Sequence, residues 1–197
     1  MSKSKVELDE EMGIYLGQIN TCIHEAAHGC GALHVGVGLQ YIEIGLDDIS
    51  FGRVMTPTQI LSDGRIAYPE RGAFVSACGI AAAQVYHLRR GGTGHDLTKV
   101  REWLASIEDA DKIERKILWK ARTFVAKHKS RIFKVAHALQ DQRRLDGQTT
   151  DRIFRGTEEV IVPRRFLDAV GMMQSVRWVD TDVGLRAFKY PVGDSTN

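Results

Sequence analysis

The spacing of hydrophobic and polar residues along the chain predicts a protein made mainly of helices. Apolar residues recur at helical spacing between residues 14 and 33, and glycines follow, which predicts that one helix ends there. Residues 70–90 form a second helical pattern of small and apolar residues, and a glycine loop at 91–94 precedes a helix that opens at Asp96. Residues 109–145 carry an apolar stripe on a charged background, which predicts one long amphipathic helix or two that join near Lys129 and Ser130.

Two stretches depart from this helical pattern. Residues 35–55 are rich in β-branched and aromatic side chains broken by glycine and aspartate, which predicts two or three short strands, with turns after them at Pro57 and residues 62–64. Beyond the long helix we expect Gly147 as its C-cap and a short helix at 149–154. We then expect a short strand at 159–162, a short helix at 165–174 and a polar end after it. The predicted fold class is mainly α, with a small β-sheet after the first helix.

Composition and charge indicate an ordinary globular chain. Of 197 residues, 43% are hydrophobic and 26% charged, and 27 basic against 25 acidic side chains leave a net charge of +2. Such a balance gives no strong electrostatic field that would attract nucleic acid or an anionic membrane, so we expect no nucleic-acid partner. We divide the chain into a polar leader at 1–12, a principal domain at 13–156 and a C-terminal extension at 157–197.

The cysteines and the apolar stretches bear on the compartment. Cys22, Cys30 and Cys78 form no C-x-x-C pair, which favours reduced, buried thiols over a disulfide framework. The first residues lack the apolar core of a secretory signal. The most apolar stretch, residues 74–86, is shorter than the roughly 20 residues of a membrane span. We therefore expect a cytoplasmic protein without a membrane span, as a monomer or a homo-oligomer.

The strongest chemical signal is the motif H-E-x-x-H at residues 24–28. His24 and His28 lie about 40° apart around a helix of roughly 3.6 residues per turn, so both imidazoles can bind one metal ion. Zinc is the natural occupant. Glu25 points beside the metal, where it can take a proton from a zinc-bound water as the general base of a hydrolase. Seven histidines would produce this motif by chance at roughly the one-per-cent level.

A catalytic zinc ion needs a third protein ligand, and two residues are candidates. His34 completes H-E-x-x-H-x-x-G-x-x-H with Gly31, the metzincin pattern, in which the glycine breaks the helix and returns the third histidine to the metal. Asp96 follows a glycine loop that could carry its carboxylate toward another helix, although a plain helix N-cap is the more common role for such an aspartate. The residues by themselves leave both candidates open.

Residues 20 to about 156 resemble the peptidase domain of the FtsH-type AAA+ zinc proteases. The sequence HEAAH at 24–28 is similar to that family's H-E-A-G-H. Residues 79–84, GIAAAQ, resemble its G-R-A-A-E-E segment, and residues 94–97, GHDL, resemble the end of its G-A-x-x-D-L segment. The long charged helix, which closes in LDG at 145–147, is similar to the family's C-terminal helices.

This resemblance implies a helical zinc peptidase fold in which Asp96 joins His24 and His28 as the third ligand and Glu25 is the general base. The sequence departs from the family at Ala27, where a glycine is usual, and we expect neither the family's ATPase module nor its membrane helices in this chain. We therefore expect a zinc metalloendopeptidase that is not driven by ATP on its own. The alternatives are a metzincin-like protease that uses His34 and a non-catalytic zinc-binding adaptor domain.

A candidate substrate-binding strand follows from the same resemblance. Residues 51–57 resemble the strand at the rim of that family's active site, so Gly52, Arg53, Val54 and Met55 are expected to bind an extended polypeptide by backbone pairing. The simpler interpretation is an edge strand that Pro57 closes.

Overall fold

α-Helices account for most of the described chain. The computed structural model describes residues 5–45, 52–57, 67–88, 93–173, 176–181 and 184–189, with side chains described between residues 11 and 173 of those ranges. The elements within these ranges are, in order, α1 (Lys5–Val35), β1 (Tyr41–Ile44), β2 (Gly52–Met55), α2 (Pro69–Val85), α3 (Thr93–Leu104), α4 (Ala110–Lys127), α5 (Lys129–Gln142), β3 (Arg144–Asp146), α6 (Gly147–Arg155), α7 (Arg164–Met172), β4 (Val176–Thr181) and β5 (Gly184–Lys189). The prediction of a mainly helical chain with a small sheet after the first helix is confirmed.

Helices α1 and α2 form the centre of the core. α1 packs against α2 and α5, and α2 packs in turn against α3 and α4. From Gly72 to Ala83 nearly every residue of α2 is buried, and most are alanine or glycine. Small side chains let the two helix backbones approach closely: a Cβ on Gly31 of α1 would lie 2.6 Å from the Cys78 sulfur of α2. The three cysteines are buried free thiols, as predicted.

Three strands form an antiparallel sheet in the order β2-β1-β3. Ile42 pairs with Val54 on one side and with Leu145 on the other, and the buried side chains of Ile42 and Leu145 face the core. On the outer face, Arg53 and Arg144 both pair with Glu43. β2 is therefore an edge strand, with β1 as its one neighbour among the described residues.

The long charged segment forms two helices, which confirms the second of the two arrangements predicted for it. α4 and α5 are separated at His128, and α5 ends at Gln142, followed by the C-cap residue Arg143, whose φ of 64° lies in the left-handed region. The prediction that Gly147 caps this helix is wrong, because β3 comes between them and Gly147 begins α6. Gly147 is needed for another reason: its N–H donates to the Gln40 carbonyl at 2.8 Å, and a Cβ there would overlap the Leu39 carbonyl oxygen.

Other element boundaries differ from the predicted ones. α1 begins at Lys5, inside the predicted polar leader, because the charged residues there are good helix formers. α3 begins at Thr93 and not at Asp96, and residues 159–162 form no strand. The short helix near 165–174 is confirmed as α7, but β4 and β5 pair where a polar end was predicted. The turn at 62–64, the first half of the glycine loop at 91–92 and Phe51 lie outside the described residues. None of the described helices combines the length and apolar character of a membrane-spanning segment.

Candidate metal centre

His24, His28 and Asp96 bring three potential metal-binding groups together. The two histidines lie on one face of α1, and Asp96 reaches them from the first turn of α3. The Nε2 atoms of His24 and His28 are 3.1 Å apart. Asp96 places Oδ2 at 3.2 Å from His24 Nε2 and Oδ1 at 3.4 Å from His28 Nε2. The ligand atoms offered by these three residues lie within 4.8 Å of one another.

These separations fit the donor set of a tetrahedral zinc site. Zinc binds histidine nitrogen and carboxylate oxygen at 2.0–2.2 Å, so neighbouring donors of a tetrahedral site are about 3.3 Å apart. The separations of 3.1 Å between the two imidazole nitrogens and 3.2 Å between His24 Nε2 and Asp96 Oδ2 lie close to that value. The second carboxylate oxygen, Oδ1, lies 3.4 Å from His28 Nε2. Two imidazoles and one carboxylate also match the ligand chemistry of catalytic zinc, with a fourth position left for water or substrate.

The protonation of His28 favours a cation between these groups. Its Nδ1 lies 2.7 Å from the Val75 carbonyl oxygen, which can only accept a hydrogen bond, so Nδ1 carries the proton. Nε2 of His28 therefore faces His24 and the Asp96 carboxylate, and it can hold either a second proton or, as a lone pair, a metal ion. Oδ2 of Asp96 is itself buried and accepts no hydrogen bond of good geometry from the described residues. A metal ion would satisfy all of these lone pairs at once.

The electrostatics of the cluster point the same way. Burial opposes ionisation of Asp96, but His28 and His24 outweigh it and hold the pKa of this carboxyl well below its usual range. Burial likewise lowers the pKa of His28, but the charge of Asp96 outweighs it and raises that pKa to about 9. The ionised carboxylate thus draws a positive charge to the position between the ligand atoms, and a metal ion can replace the proton there.

Glu25 is buried beside the cluster without belonging to it. Its side chain is 7% exposed, and burial raises its pKa, although His28 and His24 act in the opposite direction. The edge strand β2 lies directly against it, since a Cβ on Gly52 would fall 2.6 Å from Glu25 Oε1. Glycine at the start of β2 therefore lets the strand backbone approach this carboxylate closely.

Gly79 of α2 lies against the two imidazoles. A Cβ at this position would overlap His28 Nε2 and would lie 2.6 Å from His24 Cε1. Real Cβ atoms do not approach other atoms so closely. The absence of a side chain at Gly79 is therefore a condition for both histidines to hold their positions.

The structure brings together the predicted residues His24, Glu25, His28 and Asp96, and it places Gly52 against Glu25. The rest of the expected substrate strand lies further along β2, where Arg53 is exposed and Val54 and Met55 are half-buried. Gly52, Arg53, Val54 and Met55 form one of the two edge strands of the described three-stranded sheet.

His34 lies outside the cluster. α1 continues through Gly31 to Val35 without the break that the metzincin pattern requires, so His34 sits in its last turn. There it is exposed, and its ring centroid lies 4.6 Å from that of Phe124. Gly31 does not form a turn; its lack of a side chain lets α1 pack closely against Cys78.

Sequence reasoning missed the contributions of Val75 and Gly79 to the site. Val75 acts through its backbone carbonyl, which every residue carries, so no sequence signal announces it. Gly79 did carry a signal, because an isolated glycine within a helical pattern often has a packing reason. Its two flanking residues, Cys78 and Ile80, are buried, which marks a close helix contact at that position.

Comparison with known proteins adds no family assignment. No protein-family model matches the sequence, and no curated protein matches it. The resemblance to the FtsH-type peptidase domain therefore rests on the motifs quoted above.

Proposed function

We propose that this chain is a zinc-dependent metallopeptidase with an FtsH-type peptidase domain. His24, His28 and Asp96 would hold the zinc ion, and Glu25 would be the general base. The observation that supports this most is the convergence of two imidazole nitrogens and one carboxylate at zinc-like separations, next to a buried glutamate. A purely structural zinc site has no use for a general base, and such sites usually have four protein ligands.

The chain's own residues supply the parts that peptide hydrolysis needs. Zinc, when bound, lowers the pKa of a coordinated water to about 7 and polarises a carbonyl group. Glu25 accepts a proton from the attacking water and donates it to the leaving nitrogen. Burial raises the pKa of Glu25, which makes its carboxylate a stronger base than an exposed one. The Val75 carbonyl holds the His28 ring in the tautomer that leaves Nε2 free.

The proposed substrate is an extended polypeptide. β2 has β1 on one side, and no other described strand pairs with its second edge. A peptide that adds its backbone to this edge would pass Gly52 and so bring a peptide carbonyl next to Glu25. Backbone pairing recognises an extended backbone more than particular side chains, so the substrates would be unfolded polypeptides or short peptides. Hydrolysis of such substrates would need no ATP.

Cleavage of an internally quenched fluorescent peptide by the zinc-loaded protein, without ATP, tests this function. Wild type should cleave the peptide, and Glu25→Gln should bind zinc equally but cleave at least about 100-fold more slowly, because the amide cannot accept the proton. Glu108→Gln is the matched control, because this substitution removes the same charge at an exposed position. Equal rates for Glu25→Gln and wild type at equal zinc content would reject the general-base role. A wild type that holds zinc but cleaves neither peptides nor unfolded casein would be the non-catalytic adaptor.

A further inference from the structure

A second concave site lies at the far end of α1 from the polar leader, away from the metal centre. It is a cavity of about 450 Å³ between the end of α1, the start of α2 and the second half of α4. None of its lining residues is a metal ligand or Glu25. A volume of this size lies within the range of small-molecule sites in proteins.

The inner wall of the cavity is aromatic. Phe74 and Phe124 are both buried, and their rings meet edge to face with centroids 5.7 Å apart. The His34 ring lies against Phe124, and Trp119, at the opening, is 66% exposed. A planar ligand could stack on the large exposed tryptophan and on the buried aromatic rings beside it.

The opening of the cavity is cationic. Arg71, Lys120 and Lys127 line it together with a single carboxylate, that of Glu70. Neither lysine forms an ion pair with a described residue, and the Arg71 guanidinium packs over the Tyr68 ring at 4.3 Å. Burial, Arg131, His34 and Lys127 together lower the pKa of His128 at the same opening, in line with a positive local field. Free cations above an aromatic wall suit a ligand that is apolar at one end and acidic at the other.

We infer that this cavity binds a small aromatic anion, with the ring against Phe74, Phe124 and Trp119 and the acidic group between Lys120 and Lys127. A carboxylate, phosphate or sulfonate would serve as the acidic group, because each accepts hydrogen bonds from ammonium groups. The inference stands apart from the proposed peptidase activity, since it uses no residue of the metal centre.

Fluorescence titration with anilinonaphthalene sulfonate, an aromatic anion, tests this site on the full-length chain. The uncharged analogue phenylnaphthylamine is the matched probe, because it keeps the rings and lacks the sulfonate. The sulfonate should bind more tightly than its neutral analogue. Added salt should lower the affinity for the sulfonate and leave the affinity for the neutral analogue unchanged. Equal affinity of the two probes would reject an anion site.

Two test variants and one control variant locate the binding. Lys120→Gln/Lys127→Gln should weaken sulfonate binding about 5-fold, the sum of two exposed charge contacts, and leave the neutral probe unchanged. Lys112→Gln/Lys116→Gln, on the same helix but outside the cavity, removes the same charge and should change neither titration. Thr123→Trp, which places a bulky ring in the wall of the cavity, should weaken binding of both probes while far-ultraviolet circular dichroism stays that of wild type. Equal weakening by the two lysine pairs, or unchanged binding in Thr123→Trp, would overturn the assignment.

Discussion

Two glycines bring backbone directly against the polar atoms of the metal centre. Gly79 lies under the imidazoles of His24 and His28, and Gly52 lies against the carboxylate of Glu25. A methyl group at the first position would meet the imidazole rings proposed to bind metal, whereas at the second it would meet the proposed base. The two positions therefore separate the proposed metal ligands from the proposed general base, and each yields its own prediction.

Gly79→Ala should lose zinc. The added Cβ overlaps His28 Nε2, so α1 and α2 must move apart or the ring must turn away. Overpacking of this kind costs about 1–3 kcal/mol of the free energy of unfolding. Elemental analysis of the purified variant should find far less than one zinc per chain. Gly171→Ala is the control, because a Cβ at Gly171 of α7 meets nothing within 4 Å. Full zinc content in Gly79→Ala would show that the ligands tolerate the methyl group.

Gly52→Ala should keep zinc and lose activity. Its Cβ overlaps the side chain of Glu25, and the atoms nearest to it belong to none of the three metal-binding candidates, so the carboxylate must shift while the candidate ligands keep their places. A displaced base should lower kcat/KM at least about 10-fold, since small misplacements of a catalytic group are costly. Peptide cleavage and zinc content, measured on the same preparation, check this. Gly94→Ala, where a Cβ meets nothing within 4 Å, should behave as wild type in both. Activity at the wild-type level in Gly52→Ala would contradict the placement of Glu25 beside β2.

Single residues of the site were predictable to different degrees. His24, Glu25 and His28 follow from their spacing on a helix, because geometry alone brings two imidazoles onto one face. Asp96 could not be chosen over His34 from spacing, and its selection depended on the resemblance. The choice is a tertiary one: it depends on α3 packing against α2, which brings Asp96 to the histidines of α1 and which no local pattern encodes.

Among the elements, α2 and α4 are joined by a buried hydrogen bond. The Tyr86 hydroxyl, at the end of α2, donates to the Val125 carbonyl of α4 at 2.7 Å, and the residue is 3% exposed. Burial, with a smaller contribution from Cys30, raises the pKa of this phenol above its usual value of about 10. The contact thus fastens the helix that carries Gly79 to the amphipathic helix next to it.

Tyr86→Phe should lower the free energy of unfolding by about 0.5–1.5 kcal/mol at pH 8. The difference from wild type should shrink as the pH rises above about 10, because the unfolded phenol then loses its proton while the folded one keeps it. Urea unfolding of both proteins at pH 8 and above pH 10 measures this. Tyr68→Phe is the control at an exposed position and should match wild type at each pH. A difference that grows with pH would reverse the sign and reject the buried-phenol account.

The elements themselves were predictable where their pattern is local. The helical periodicity indicated α2, α4, α5 and α7, and the β-branched stretch indicated β1 and β2. β3 escaped prediction because it has three residues and acquires its partner, β1, only when segments far apart in sequence meet. The strand expected at 159–162 fails for the converse reason: its apolar residues find no partner strand among those described.

For the whole molecule, the metal centre depends on the complete fold. Its ligands come from α1 and α3, which are separated in sequence by β1, β2 and α2. The unfolded chain therefore contains no equivalent site, and a bound metal stabilises the native state by mass action. Metal content and thermal stability should change together.

Zinc at 100 times its dissociation constant should raise the melting temperature by about 5–10 °C over the chelator-treated protein, since it adds about 2.7 kcal/mol. Differential scanning calorimetry with zinc and with chelator measures the shift. Asp96→Ala should show no such zinc-dependent shift, whereas His34→Ala, which alters an exposed residue outside the cluster, should keep it in full. The opposite ranking of these two variants would make His34 the third ligand and reject the FtsH-type proposal.

The close contact at Gly79 also supplies a way to recognise other chains of this kind. A histidine pair on a helix is a short motif that arises by chance, but here it needs a glycine in a second buried helix and an aspartate in the first turn of a third. These three parts, in that order along the chain, form a composite signature that is far more selective than H-E-x-x-H alone. We expect chains that retain all three to bind metal. We expect chains that retain the histidines but replace the glycine to keep the fold and to bind no metal at this position.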